Sequence, residues 1–297
     1  MPTLEYLRHR IETASDLRSA VATMKTLAAV NIHQYERAAD ALGQYSRTIE
    51  LGLQIMLRGS IDVPVSEVPT TNQRNGNIGV IVFGSDQGMC GQFNEQIAAY
   101  AAEQHSTYRR GVPAAVWIVG GRVYFPLTDS GWSINQTFRV PTSVPEVADR
   151  VCELLTTIEH LRERRNLCTL RIYFNMRSTA SSYQPNEKQL LPISPTWLRD
   201  LRERKWESRS LPRFGGDRDE MTSLLIRQCL YVSLYQACAE SLASENASRI
   251  AAMQAAEKNI DDTLDELQTA FKTQRQTAIT EELLDVVTGF EALMSGK

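Results

Sequence analysis

Two proline-free segments, one toward each end of the chain, constrain this fold more than any other feature. The first covers residues 3–58 and has only two glycines, Gly43 and Gly52, both late; the second covers residues 217–294. Proline removes a backbone donor and breaks helices, so uninterrupted stretches of this length read as two long helices, over residues 1–60 and 217–297. At 1.5 Å per residue they would be roughly 80 Å and 110 Å long.

The first helix carries Leu17, Val21, Met24, Ala28, Ile32, Tyr35, Ala39, Leu42, Ser46, Ile49, Leu53 and Met56 at steps of four and three, which is what a coiled-coil seam requires. The second offers Ile260, Leu264, Leu267, Phe271 and Ala278, and between residues 243 and 256 it replaces large apolar side chains with Ala and Ser, which permits close helix approach. Asp217 and Glu220 are placed as its capping box. Pairing the two antiparallel buries both stripes, with the C-terminal helix outreaching its partner. Leu283, Leu284, Val286, Val287, Phe290 and Leu293 then fall beyond the first helix and require another cover.

Between the helices the character of the chain changes. A Pro-, Ser- and Asn-rich link over residues 62–77 leads into near-continuous apolar runs at 78–83 and 114–119, bounded by glycine. Such runs are the pattern of strands buried on both faces of a parallel sheet. Residues 92–103 and 146–164 read as helices and residues 167–176 as a third strand, giving a Rossmann-like βαβαβ domain over residues 76–195. Residues 192–216, rich in Pro, Trp and Arg, read as a closing loop. The fold class expected is α/β plus long α-helices.

Composition excludes several functions. A net charge of −3 gives no general attraction to nucleic acid or to an anionic lipid surface. The longest uncharged stretches have about eight residues where a bilayer span needs roughly 20, so no membrane insertion is expected. The N-terminus has no signal-peptide core and carries Glu5, Glu12 and Asp16 early, unlike a transit peptide; a bacterial-type cytoplasm is the expected compartment. Five cysteines without a CxxC pair and four scattered histidines predict neither a disulfide framework nor a metal.

The segment at residues 84–91, Gly-Ser-Asp-Gln-Gly-Met-Cys-Gly, follows a strand and opens a helix, where an α/β protein cradles phosphate. Its spacing matches neither GxGxxG nor a P-loop, and no lysine lies between Gly84 and Tyr108. It reads as an architectural turn with no cofactor. Cys90 has no base nearby in sequence and reads as a packed thiol. Arg199, Arg202, Arg204, Lys205, Arg209 and Arg213, interleaved with Trp197 and Trp206, are diluted by Asp200, Glu203 and Glu207, so a solvated or partner-docking loop is expected rather than a nucleic-acid patch.

Three blocks carry a family resemblance across nearly the whole chain. They are Leu7-Arg-His-Arg-Ile11 followed by residues 22–29, Ala-Thr-Met-Lys-Thr-Leu-Ala-Ala; residues 85–94, Ser-Asp-Gln-Gly-Met-Cys-Gly-Gln-Phe-Asn; and residues 234–253 with Asn259 and then residues 275–284. In order and spacing they resemble the gamma subunits of F-type ATP synthases. The resemblance implies a central rotor stalk that transmits torque, its tip inside a hexamer of alpha and beta subunits. It implies a base against the epsilon subunit and the ring of c subunits, at the cytoplasmic face of the bacterial inner membrane. Catalysis would belong to the beta subunits, so the chain itself is expected to be no enzyme. The resemblance also makes Met24, Arg275, Gln276 and Thr280 candidate subunit contacts.

The sequence departs from the family where Asn31, Ile32 and His33 replace a basic stretch, Gln87 replaces an Arg and Gln92 a Gly. A second, sodium-translocating ATPase of the same type is therefore the alternative reading. The rival of another class is a nucleotide-binding α/β enzyme dimerised by its coiled coil.

Overall fold

The computed structural model describes residues 3–58, 77–108, 112–165, 167–178, 182–206, 210 and 215–295. The chain forms two compact units, Met1–Leu27 with Ile250–Lys297, and Ala28–Arg249. Helix α1 (Leu4–Arg58) and the final helix α6 (Arg218–Ser295) each contribute to both. At the start of α6 the Glu220 N–H donates to Asp217 Oδ2 at 3.4 Å, the expected N-cap.

The first unit is an antiparallel helix pair. Arg18 meets Asp261 at 2.8 Å and Lys25 meets Glu257, so the partner's numbers fall as those of α1 rise. Leu7, Leu264 and Leu267 are buried, with Ile11, Ala14, Val21, Ile260, Phe271 and Ala278 partly so. Leu17 and Met24, expected in the seam, are instead 55% and 41% exposed. Positions 7, 11, 14, 18, 21, 25 and 28 alternate strictly between steps of four and three, and this is the stripe that faces α6. Arg18 and Lys25 occupy it as ion pairs where apolar layers were expected, and Leu17 and Met24 stand about 100° round the helix from them.

In the second unit a five-stranded sheet has the order β3-β2-β1-β4-β5. Strands β1 (Asn77–Phe83), β2 (Ala115–Val119), β3 (Gln136–Phe138) and β4 (Leu167–Arg177) run parallel, while β5 (Tyr183–Leu191) is antiparallel to β4. The apolar runs are covered on both faces. Val80, Val82, Val116 and Ile118 pack against Ile97, Ala98 and Ala101 of α2 (Phe93–Tyr108) and against Leu127 of the short α3 (Tyr124–Asp129). Ile81, Phe83, Trp117 and Val119 pack with Val147, Val151 and Leu154 of α4 (Val144–Arg165) and with Leu234, Cys238 and Leu242 of α6.

Strands β3 and β5 were missed in the sequence. The former has only three residues, and the latter, Tyr-Gln-Pro-Asn-Glu-Lys-Gln-Leu-Leu, is polar and holds a proline, as an edge strand can. The region expected as a loop over residues 192–216 contains α5 (Pro195–Glu203), capped where Ser194 Oγ accepts from the Trp197 N–H. Its Leu201 is buried against Ile49, Leu53 and Val232, which is why it is helical: the apolar spacing Trp197, Leu198, Leu201 makes a packing face.

Candidate functional site

An open α/β sheet binds its ligands in the crevice beyond the strand C-termini where strand order reverses, here between β1 and β4. The loop after β1 spends its polar groups internally. Gly84 N–H donates to Val119 O at 2.7 Å, and Ser85 N–H donates to Asn94 Oδ1 at 2.9 Å while Asn94 Nδ2 donates back to Ser85 Oγ at 2.9 Å. Asp86 accepts from the N–H of Gly121 through Oδ1 and from that of Val140 through Oδ2, each at 2.7 Å. One carboxylate thus ties together the chain segments that leave β1, β2 and β3. Gly120 has φ +105°, and a Cβ there would lie 2.6 Å from Ser85 N, so this turn admits only glycine.

The crevice is filled by the protein's own last helix. Ser244 Oγ donates to Asn175 O at the end of β4 at 3.0 Å, and one turn later Ser248 Oγ donates to Cys90 O at 2.5 Å. Small side chains at i and i+4 bring α6 close enough to reach backbone carbonyls. Between them Glu245 is buried, and Arg249 Nη2 donates to its Oε1 at 2.6 Å. Burial pushes the Glu245 carboxyl above its ordinary pKa despite the guanidinium. A position that could hold a nucleotide holds a helix.

Cys90 lies in this packing, 3.5 Å from Ser85 Oγ, and burial raises its thiol pKa. A reactive cysteine needs the opposite shift. The basic run is partly structural: Arg204 O accepts from Gln54 Nε2 and Arg58 Nη2, and Arg204 Nη1 pairs with Glu50 at 2.9 Å. Arg209 and Arg213 lie outside the described residues.

The four contact candidates all lie in the first unit and all are exposed. They do not form one cluster. Met24 neighbours Lys25, which pairs with Glu257, so it stands about eighteen residues along the coil from Arg275. Gln276 and Thr280 share a face at i and i+4, and that face continues through Ile279, Leu283 and Val287, exposed by 47%, 61% and 50%. Leu284 and Val286 are exposed as well; the side chains of Phe290 and Leu293 lie outside those described. Sequence reasoning missed Ser244, Ser248 and Asp86 as tethers, because their partners are distant in sequence. It also missed Arg18 and Lys25 as seam residues, because a charged side chain gives no apolar signal at a seam position.

Among the described residues no helix is long and apolar enough to cross a membrane. A family model described as ATP synthase matches residues 3–293. The chain is similar to the ATP synthase gamma chain of Zymomonas mobilis, 24% identical over 300 residues covering 99% of this chain and 100% of the relative. The gamma chain of Glaesserella parasuis serovar 5 is 27% identical over 290 residues, covering 97% and 98%. Among solved structures, a chain of the Euglena gracilis mitochondrial ATP synthase OSCP/F1/c-ring assembly has a TM-score of 0.64 at 16% identity, covering 99% of this chain and 95% of that one. A chain of the Tetrahymena thermophila central stalk and c-ring has a TM-score of 0.55 at 19% identity, covering 80% and 99%. These likenesses share the fold described above.

Proposed function

The chain belongs to the gamma family of ATP synthase and is a central stalk subunit of the F-type complex, and we propose that it works there as a shaft with no catalytic site of its own. A hexamer of alpha and beta subunits encloses the tip of α6, and the unequal faces of the helix pair hold the three beta-subunit sites in different states as the shaft turns. The second unit meets the epsilon subunit and the c-ring, at the cytoplasmic face of the bacterial inner membrane. Ion passage, of protons or of sodium, takes place in the membrane sector.

The observation that carries this reading is the stretch of α6 holding Ile279, Leu283, Leu284, Val286 and Val287, all exposed by 47% to 70%. A helix left apolar and uncovered needs a partner surface. Arg275 and Gln276 supply donors for carboxylates or carbonyls of a beta subunit, Thr280 lies on the same side as Gln276, and Met24 offers an apolar contact further along the coil.

Co-expression with alpha and beta subunits tests this. Size-exclusion chromatography is expected to give one copy of this chain with three of each partner. Cutting the chain before Arg275 should slow ATP hydrolysis roughly tenfold, which is about 1.4 kcal/mol of barrier. Elution of the chain alone, or full activity after the cut, overturns the proposal.

A further inference from the structure

A cavity of about 330 Å³ lies in the second unit between α1, β5, the start of α5 and residues 229–236 of α6. Its size is that of a small-molecule site, and its lining is divided evenly between apolar and polar side chains. Ile193, Trp197 and Leu230 contribute to the wall; Lys188, Ser233 and Gln236 bring polar groups.

Lys188 is the cationic side chain of this wall. Glu50 also borders the cavity, but its carboxylate is engaged by Arg204 at 2.9 Å. Lys188 Nζ makes no hydrogen bond or salt bridge among the described residues. The carboxylate of Glu240 acts on it only from beyond ion-pair distance, and solvent reaches the residue from outside. Desolvation holds the Lys188 ammonium below its ordinary pKa, and the Glu240 carboxylate opposes that shift. An ammonium group without an ion pair, lining the same cavity as an indole and aliphatic side chains, is chemically complementary to an anion that carries an apolar body.

We propose that this cavity binds a small aromatic or alkyl monocarboxylate, with the carboxylate on Lys188 Nζ and the apolar body against Trp197, Ile193 and Leu230. Ser233 supplies a further donor to the carboxylate, and Gln236, whose Nε2 donates one N–H to Glu240 Oε1 at 2.9 Å, has its second N–H left for it. The proposal does not rest on the stalk function, because it is argued from the cavity's own residues alone.

Binding of 1-naphthoate to the full-length chain, measured by calorimetry beside its neutral analogue 1-naphthamide, tests this. The naphthoate is expected to bind roughly tenfold or more tightly than the amide, a difference of about 1.4 kcal/mol. Lys188→Gln should abolish that preference, Lys188→Arg should retain it, and Ser233→Trp should block both compounds by filling the cavity. Circular dichroism and melting of each variant establish that it is folded. Equal binding of acid and amide, an unchanged preference in a folded Lys188→Gln variant, or no binding of naphthoate would each overturn the assignment.

Discussion

Two stretches of the same helix reverse the usual relation between polarity and burial. Residues 241–248 of α6 are all buried although Ser241, Ser244, Glu245, Asn246 and Ser248 are polar. Residues 281–289 are all exposed although they include Leu283, Leu284, Val286 and Val287. In the first stretch the side chains are small and most of their polar atoms have partners, so the helix can lie against strand ends without the full cost of buried polar groups. In the second, the described residues present no surface that covers the apolar side chains. Position in the fold, rather than the hydrophobicity of the residue, decides burial here, and an exposed apolar stretch marks where another molecule is needed.

The sharpest test of the buried stretch is Ser244→Leu, which adds volume where none is free and removes the bond to Asn175 O. It should destabilise the protein by about 3 kcal/mol, read from chemical denaturation followed by tryptophan fluorescence. A loss below about 1 kcal/mol would mean that the crevice has room and that α6 is not held tightly there.

Leu267→Ala probes the seam between these extremes. With Leu267 only 9% exposed, the expected loss is about 2 to 3 kcal/mol, localised by hydrogen exchange to the helix pair. Slowly exchanging amides unchanged in the variant would show that this seam is not packed.

Asp261→Asn removes the partner of Arg18. Both side chains are about half exposed, so the cost should be less than about 1 kcal/mol and should vanish in high salt. A larger, salt-insensitive loss would make these polar layers the main fastening of the coil rather than an interruption in it.

The smallest effect is expected from Leu283→Ala combined with Leu284→Ala. The melting curve of the free chain should move by no more than about 0.5 kcal/mol equivalent, since neither side chain is packed. Affinity for the alpha and beta subunits should fall in a pull-down titration. Destabilisation of the free chain would show that the stretch is covered within the molecule, and the comparison with residues 241–248 would break.

Much of this was determined by sequence alone. The absence of proline and the three-and-four spacing specify the two long helices, because both are properties of local backbone geometry. The two glycine-bounded apolar runs specify two of the parallel strands, because only a doubly covered sheet buries side chains of both parities. The three blocks that resemble the gamma family identify the chain, because they preserve order and spacing over nearly its full length.

Tertiary structure decided the rest. Whether Leu17 or Arg18 faces the partner helix is a matter of about 100° of rotation, and in the sequence a step pattern of three, four, four is as plausible as four, three, four. Strand β5 exists because β4 has an open edge to pair with, not because its own residues favour a strand. The final helix occupies the crevice of the sheet because Ser244 and Ser248 meet carbonyls at Asn175 and Cys90, residues 69 and 158 positions away in the chain. Contacts between residues so distant follow from how the elements pack, and no local pattern encodes them.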